Sequence, residues 1–293
     1  MSDGMNRRDF LGGLVAGGIS ARLAAGAAPA TRPARRSITD RVPLGNTGIR
    51  VSRLGMGTGT FGWNRQSNQT RLGMDSFVRL LRHAIDSGIA YIDCADMYGS
   101  HYYLREAMRQ VPRDKVVIVT KTADRTAEGV RKDVDRFRQE LGTDYIDVVL
   151  LHCLTDADWT KKMAGPMDVL SEAKSKEWIK AHGCSCHSLA ALRLASETPW
   201  VDVDLVRINP WGPRFKMDDR PDVVVPILRK FKARGAGVLG MKILGEGQRT
   251  DEASREESLR FVLSLDCVDA FNIGFESPRQ PDDIIRRADA ILS

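Results

Sequence analysis

The sequence predicts an α/β fold, a (β/α)₈ TIM barrel opened by a short N-terminal β-hairpin, and three observations carry that prediction. Short apolar runs alternate with segments of helical period all the way from Ser52 to Leu292, the succession that builds a parallel sheet covered by helices. A chain of 293 residues suits one barrel of roughly 250 residues with an N-terminal extension. Eight such β–α pairs match a closed barrel better than an open doubly wound sheet, which usually has fewer strands.

Taken in order, residues 31–41 are rich in Pro, Arg, Ser and Thr and read as a linker. Leu44-Gly45-Asn46-Thr47-Gly48 reads as a turn between two short strands, so a hairpin opens a barrel domain spanning residues 42–293. The first barrel strand is Ser52 to Gly57, and its helix carries Phe77, Leu80, Leu81, Ala84 and Ile85 at i, i+3, i+4 spacing before Gly88 stops it. The other seven strands are Ile89 to Asp93, Val116 to Lys121, Ile146 to His152, Ile179 to Ser185, Val203 to Ile208, Gly237 to Lys242 and Val268 to Gly274. Between them lie amphipathic stripes such as Val130, Val134, Phe137 and Leu141, then Val224, Ile227, Leu228 and Phe231, and last Ile284, Ile285, Ala288 and Leu292. Gly55, Gly57, Gly59 and Gly62 mark a place where backbone approaches a ligand closely.

Composition narrows the function classes. The chain is 42% hydrophobic and 28% charged, without a run of about 18 apolar residues that would span a bilayer, so stable membrane insertion is not expected. Lys and Arg number 44 against 38 Asp and Glu, a net charge of +6. The basic residues are interspersed with acidic ones, the pattern of solvated helix faces and not of a nucleic-acid surface. Five cysteines, Cys94, Cys153, Cys184, Cys186 and Cys267, are expected as buried free thiols. Cys184 and Cys186 have no second pair at zinc-finger spacing, so no metal is expected.

Asn6-Arg7-Arg8-Asp9-Phe10-Leu11, followed by a Gly- and Ala-rich stretch to Ala30, resembles a twin-arginine export signal. That resemblance implies a signal segment over residues 1–30, passage through the twin-arginine export machinery in a folded state, and a periplasmic location. If the signal is not used, the protein stays in the cytoplasm.

Three polar residues stand at consecutive strand ends: Asp93 after Tyr91-Ile92, Lys121 after Val119-Thr120, and His152 after Leu150-Leu151. Singly, they read as a turn cap, a surface charge and a core histidine. Together they converge on the C-terminal rim, where barrel active sites are built, and buried charge is costly unless paired. Tyr91-Ile92-Asp93-Cys94-Ala95-Asp96-Met97-Tyr98-Gly99-Ser100, Val119-Thr120-Lys121-Thr122 and Leu150-Leu151-His152 resemble the segments that supply the catalytic Asp, Tyr, Lys and His of the aldo-keto reductase superfamily, over Val42 to Ser293. The resemblance implies an NAD(P)H-dependent oxidoreductase that interconverts a small carbonyl, aldehyde or ketone, with its alcohol. Tyr98 is then the general acid, made a better one by Lys121; Asp93 keeps Lys121 charged, and His152 orients the carbonyl oxygen.

The same resemblance lays a dinucleotide across the later strand ends. Gly57 lies in its path, Ser185 and Cys186 take the place of the carboxamide contacts, with Cys186 where Asn is usual, and Asn209 that of the amide-binding Gln. Met241, Lys242 and Gly245 approach the pyrophosphate. Gly274, Ser277, Arg279 and Asp283 form the adenosine end, where Ser277 and Arg279 suit a 2′-phosphate and so NADPH over NADH; a helix cap with a solvated charge is the other reading of that pair. Trp211 is read equally as a wall of the substrate pocket and as core packing. Two rivals share the barrel. One is a cofactor-bound regulatory or sensory subunit with slow hydride transfer, against which the intact tetrad stands. The other is a Schiff-base lyase or epimerase working through Lys121, against which the Asp93 to Tyr98 spacing stands.

Overall fold

Strand alternation and helix period sort the apolar residues of this chain into two shells, and the polar residues left over at the strand ends form a rim. The computed structural model describes residues 36–293; the signal segment expected over residues 1–30 lies outside the described residues. A hairpin of β1 (Arg41–Pro43) and β2 (Arg50–Ser52) pairs antiparallel, with Arg41 opposite Ser52. Eight parallel strands follow: β3 (Leu54–Gly57), β4 (Tyr91–Asp93), β5 (Val117–Thr122), β6 (Ile146–Leu154), β7 (Ile179–Cys186), β8 (Val203–Arg207), β9 (Gly237–Met241) and β10 (Ala270–Gly274). They close into a barrel in chain order, β10 pairing with both β9 and β3. Each is followed by helix: α1 (Met74–Asp86), α2 (His101–Met108), α3 (Ala127–Leu141), α4 (Trp159–Lys162) with α5 (Ala164–Ser175), α6 (Leu189–Glu197), α7 (Pro221–Ala233), α8 (Glu252–Ser264) and α9 (Arg279–Leu292). The predicted (β/α)₈ barrel with its hairpin is the observed fold.

The inner shell is made of alternate strand residues, among them Tyr91, Val119, Val148, Leu150, Ala181, Leu205 and Leu239, and the hairpin closes its lower end with Leu44, Ile49 and Val51. The hairpin turn presses against the start of β9. A Cβ on Gly45, whose φ is +50°, would lie 2.4 Å from the Gly237 nitrogen, so only glycine fits there. In the outer shell the opposite strand faces meet the helix stripes. On α1, Phe77, Leu80, Leu81 and Ala84 are buried, and each large apolar side chain so placed contributes about 1.5–3 kcal/mol. On α3, the Thr126 hydroxyl accepts a hydrogen bond from the Gly129 amide at 3.0 Å, capping the first turn, and Gly142 ends the helix at a φ of 64°.

Two boundaries differ from expectation. The first barrel strand starts at Leu54 and not at Ser52, because Ser52 serves as a corner: its hydroxyl donates to the Leu54 carbonyl at 2.6 Å and accepts from the Ala90 amide at 2.9 Å. The linker expected over residues 31–41 overlaps the fold. Ile38 is fully buried, and its amide donates to the Asp289 carboxylate on α9 at 2.7 Å. Among the described residues, no helix is long and apolar enough to cross a membrane.

Candidate active site

Alternation that points Val117 and Val119 into the barrel points Lys121 there too, one turn of the pleat higher. Lys121 is fully buried, and its ammonium donates to the Asp93 carboxylate and to the Cys94 carbonyl, each at 2.7 Å. Burial pushes Lys121 toward neutrality, but Asp93 and Tyr98 outweigh it and raise its pKa, so the ammonium stays charged. It lies 4.8 Å from the centre of the Tyr98 ring. The Tyr98 hydroxyl is 3.5 Å from Nε2 of His152, the two rings meeting edge-on with centroids 5.7 Å apart. The structure thus brings Asp93, Tyr98, Lys121 and His152 together.

The expected electrostatics hold only in part. Burial raises the Tyr98 phenol and Lys121 lowers it, as the sequence led us to expect, yet burial wins and the pKa stands at about 12. His152 is held well below 6.5, first by burial and then by the Lys121 charge, so its imidazole is neutral.

Tyr98 owes its position to two glycines and an ion network. It ends a tight turn, Asp96–Tyr98, after which Gly99 takes a φ of 64°. Cβ atoms added to Gly59 and Gly62 would each lie 2.3 Å from the Tyr98 ring. The close approach expected of these glycines is therefore to the tyrosine. Beneath the turn, Arg65 bridges Asp96 at 2.7 Å and Glu140 at 2.9 Å, and Arg136 bridges the same two at 2.7 and 3.0 Å. His101 joins Glu140 to Thr120 on β5 through hydrogen bonds of 2.7 Å on each ring nitrogen. His152 is aimed differently, by an irregularity of β6: the register with β7 shifts between Leu151 and Leu154, and Cys153 takes a φ of 55°. Such bulges re-aim side chains beside active sites.

A cleft of about 270 Å³ runs from Asp93 and Tyr98 across the ends of β9 and β10. Of the residues expected to hold a dinucleotide, Gly57, Met241, Lys242 and Gly274 line it. Ser185 is inward on β7, on the rim beside His152, and its buried hydroxyl has no partner among the described residues. Cys186, Asn209, Gly245 and Asp283 are placed otherwise than expected. Cys186 lies on the other face of β7, fully buried against the helix layer, because strand alternation puts residues 184 and 186 opposite residue 185. Asn209 is occupied by its own loop: its amide donates to the Phe215 carbonyl at 2.9 Å, and its oxygen accepts from the amides of Trp211 at 3.0 Å and Gly212 at 2.9 Å. Gly245 turns the chain against Phe215 and does not line the cleft. Asp283 pairs with Arg287 at 2.8 Å and with Arg255 at 3.3 Å. Trp211 donates to Glu257 at 2.9 Å and lies under Arg249, half-buried, and it does not line the cleft. Ser277 is half-buried and Arg279 exposed at the start of α9.

Residues 53–272 of this chain match the aldo/keto reductase family. The chain belongs to the aldo/keto reductase family. It is 35% identical to the L-galactose dehydrogenase of Arabidopsis thaliana over 225 residues, 73% of this chain and 68% of that one. It is 30% identical over 172 residues to the NADH-specific methylglyoxal reductase of Escherichia coli, covering 50% of this chain and about half, 51%, of that relative. Among solved structures, a Pseudomonas aeruginosa protein described as an aldo-keto reductase superposes with a TM-score of 0.73 at 26% identity, covering 88% of this chain and 98% of that one. An aldo-keto reductase of Bacillus halodurans, at 18% identity and a TM-score of 0.69 over 86% of this chain and 95% of that one, shares the fold.

Several aldo/keto reductase rim residues escaped the sequence reading. Arg207 continues the inward series Val203, Leu205 and ion-pairs with Asp218, and strict alternation would have found it. Asn272, inward between Ala270 and Gly274, lines the cleft and donates to the Tyr91 hydroxyl at 3.2 Å; it too follows the period of two. Phe61, 58% exposed, lines the cleft beside Tyr98. Gln280 lines it as well, its side chain accepting from the amides of Glu276 and Ser277 at 2.6 and 3.2 Å. His187, its ring 6.3 Å from that of His152, is held at about 3 by burial and by Arg207 and Lys242. Gln280 falls within the segment that resembles the adenosine end, whereas no local pattern in the sequence marks Phe61 or His187.

Proposed function

We propose that this chain is an NAD(P)H-dependent carbonyl reductase, interconverting an aldehyde or ketone with its alcohol, with Tyr98 as the general acid and base. The observation that carries the proposal is the buried Lys121 ammonium, tied to Asp93 at 2.7 Å and set 4.8 Å from the ring of Tyr98, whose hydroxyl faces His152. The later strand ends suit a nicotinamide cofactor. The Ser185 hydroxyl is a buried polar atom without a partner, as a carboxamide contact would be before its ligand arrives, and Gly57 and Gly274 leave room along the cleft. Met241 and Lys242 flank the same path. When bound, the nicotinamide supplies the hydride.

The chain's own groups do the rest. A phenol at about 12 keeps its proton until negative charge develops on the carbonyl oxygen, which is far more basic as an alkoxide. Lys121 then stabilises the phenolate left behind, and Asp93 holds Lys121 in place. His152, neutral, donates from Nε2 to the same oxygen in the tautomer that carries its proton there, fixing the carbonyl against Tyr98. Tyr98→Phe tests this: kcat falls by about 10²–10⁴ while the cofactor dissociation constant stays within about twofold. A variant retaining most of its kcat would remove Tyr98 from the chemistry.

NADPH is preferred over NADH in this proposal, because Arg279 is exposed at the start of α9 and makes no ion pair among the described residues, leaving its fork for a 2′-phosphate. Glu276, which lines the cleft, opposes that phosphate, so Arg279→Ala should erase the preference in a comparison of the two dissociation constants. Residues 1–30 act as a twin-arginine signal and the working location is the periplasm. A reporter fused to residues 1–36 is then exported with Arg7 and Arg8 intact and retained when both become Lys; export of the Lys pair by that route would overturn the location.

A further inference from the structure

Behind the rim, on the face of β7 turned away from Ser185, lies a second cluster that carbonyl chemistry does not use. Cys184 and Cys186 project outward from β7, and Asp204, opposite Cys184 in the β7–β8 register, projects to the same side; all three are fully buried. The two sulfurs are 3.7 Å apart, and Cys184 Sγ is 3.3 Å from Asp204 Oδ1. One donor atom from each residue fits within 4.8 Å of the others. Oδ2 of Asp204 is buried with no hydrogen-bond partner. An ionised carboxylate so placed costs several kcal/mol unless a cation or further donors meet it. Asp218, from the loop after β8, has a fully buried side chain whose Oδ2 is likewise unpartnered, and its charge bears on both Cys186 and Asp204.

These separations match the edges of a coordination tetrahedron. With metal–sulfur bonds of about 2.3 Å and metal–oxygen bonds of about 2.0 Å, tetrahedral geometry sets two thiolates about 3.8 Å apart and a thiolate and carboxylate oxygen about 3.5 Å apart. A disulfide would need the sulfurs at about 2.05 Å, much closer than they stand. Two soft thiolates with a carboxylate suit zinc and exclude the all-oxygen sites of calcium and magnesium.

We propose that Cys184, Cys186 and Asp204 form a structural zinc site. The ion replaces the two thiol protons, which pass to solvent, and binds β7 to β8 directly behind Ser185. The Cys-x-Cys pair carried no metal expectation by sequence spacing, because its partner comes from the neighbouring strand. The proposal stands independently of the reductase assignment.

The test uses the full chain, loaded with zinc and dialysed against metal-free buffer, with metal content measured by mass spectrometry. About one zinc per chain is expected. The Cys184→Ser, Cys186→Ser double variant and Asp204→Asn should lower zinc affinity by roughly tenfold or more, while Cys267→Ser, whose thiol lies outside the cluster, keeps the wild-type content. Cobalt in place of zinc should give the intense visible bands of a tetrahedral site and a near-ultraviolet thiolate charge-transfer band. Wild-type protein without bound zinc, full zinc in the double variant, or a cobalt complex lacking the charge-transfer band would each overturn the site. The cobalt spectrum is read on wild-type protein, so it decides even if a variant fails to fold.

Discussion

The rim from β4 to β6 and the rim from β7 to β10 follow one architectural plan but differ in what their polar atoms bond to. On the first arc the charged groups satisfy one another, and Nδ1 of His152 is the buried atom left without a partner: Lys121 holds Asp93 and the Cys94 carbonyl, and Tyr98 is wedged between glycines above the ion network of Arg65, Arg136, Asp96 and Glu140. On the second, Ser185 Oγ, His187 Nε2 and Arg207 Nε are buried without hydrogen-bond partners, while Asn209 and Asp283 are taken up by their own surroundings. An arc whose charges are paired within it is preorganised for chemistry. One with buried atoms left over is shaped to be completed by a ligand.

The sharpest way to break that contrast is to unpair the first arc. Lys121→Met leaves the Asp93 carboxylate buried alone, so unfolding in denaturant should show a loss of about 3–5 kcal/mol, with kcat down by about 10²–10⁴. Unchanged stability would mean that the Lys121–Asp93 pair does not hold the arc together. A smaller effect is expected from Gly59→Ala. Its added Cβ would meet the Tyr98 ring at 2.3 Å, and a displacement of about 1 Å at the proposed acid should lower kcat by roughly 10²-fold, with cofactor affinity unaltered. Equal losses in both quantities would make Gly59 part of the cofactor path instead.

The two arcs also differ in how far sequence reveals them. Asp93 and Tyr98 sit on one strand and its following turn, and Lys121 and His152 cap apolar runs, so local pattern is enough to place all four. Gly59 and Gly62 announce a close approach without saying to what, since Tyr98 reaches them from the next β–α unit. On the second arc, Arg207 and Asn272 are readable from a period of two. The side on which Cys186 falls is readable in the same way, once Ala181 is known to face inward. Asn209 is not readable, because whether its amide faces a ligand or its own loop depends on how residues 209–216 close, a tertiary fact.

Ser185→Ala probes the second arc at its least disturbed point. Removing a hydroxyl that has no protein partner costs the fold little, while a lost carboxamide contact of about 1 kcal/mol weakens cofactor binding roughly fivefold and leaves kcat at saturating cofactor near wild type. Unchanged cofactor affinity with lowered stability would move Ser185 from the ligand surface to the scaffold.

The smallest expected effect is an absence, and it bears on the seam between the arcs. His152 lies on one side and His187 on the other, with ring centroids 6.3 Å apart, and burial depresses both, His152 well below 6.5 and His187 to about 3. A group whose pKa is lowered is already neutral at its ordinary titration point, so raising the pH through 6.5 changes neither imidazole. Tyr98, at about 12, keeps its proton throughout. The value of kcat/KM for carbonyl reduction should therefore run flat from about pH 6 to pH 9, falling only as alkali begins to remove the phenolic proton. A limb centred near 6.5 would put one imidazole in contact with water and open the seam. His187→Gln then assigns it: if the limb disappears, the leak is on the cofactor side, and if it persists, His152 itself titrates and the first arc is not sealed.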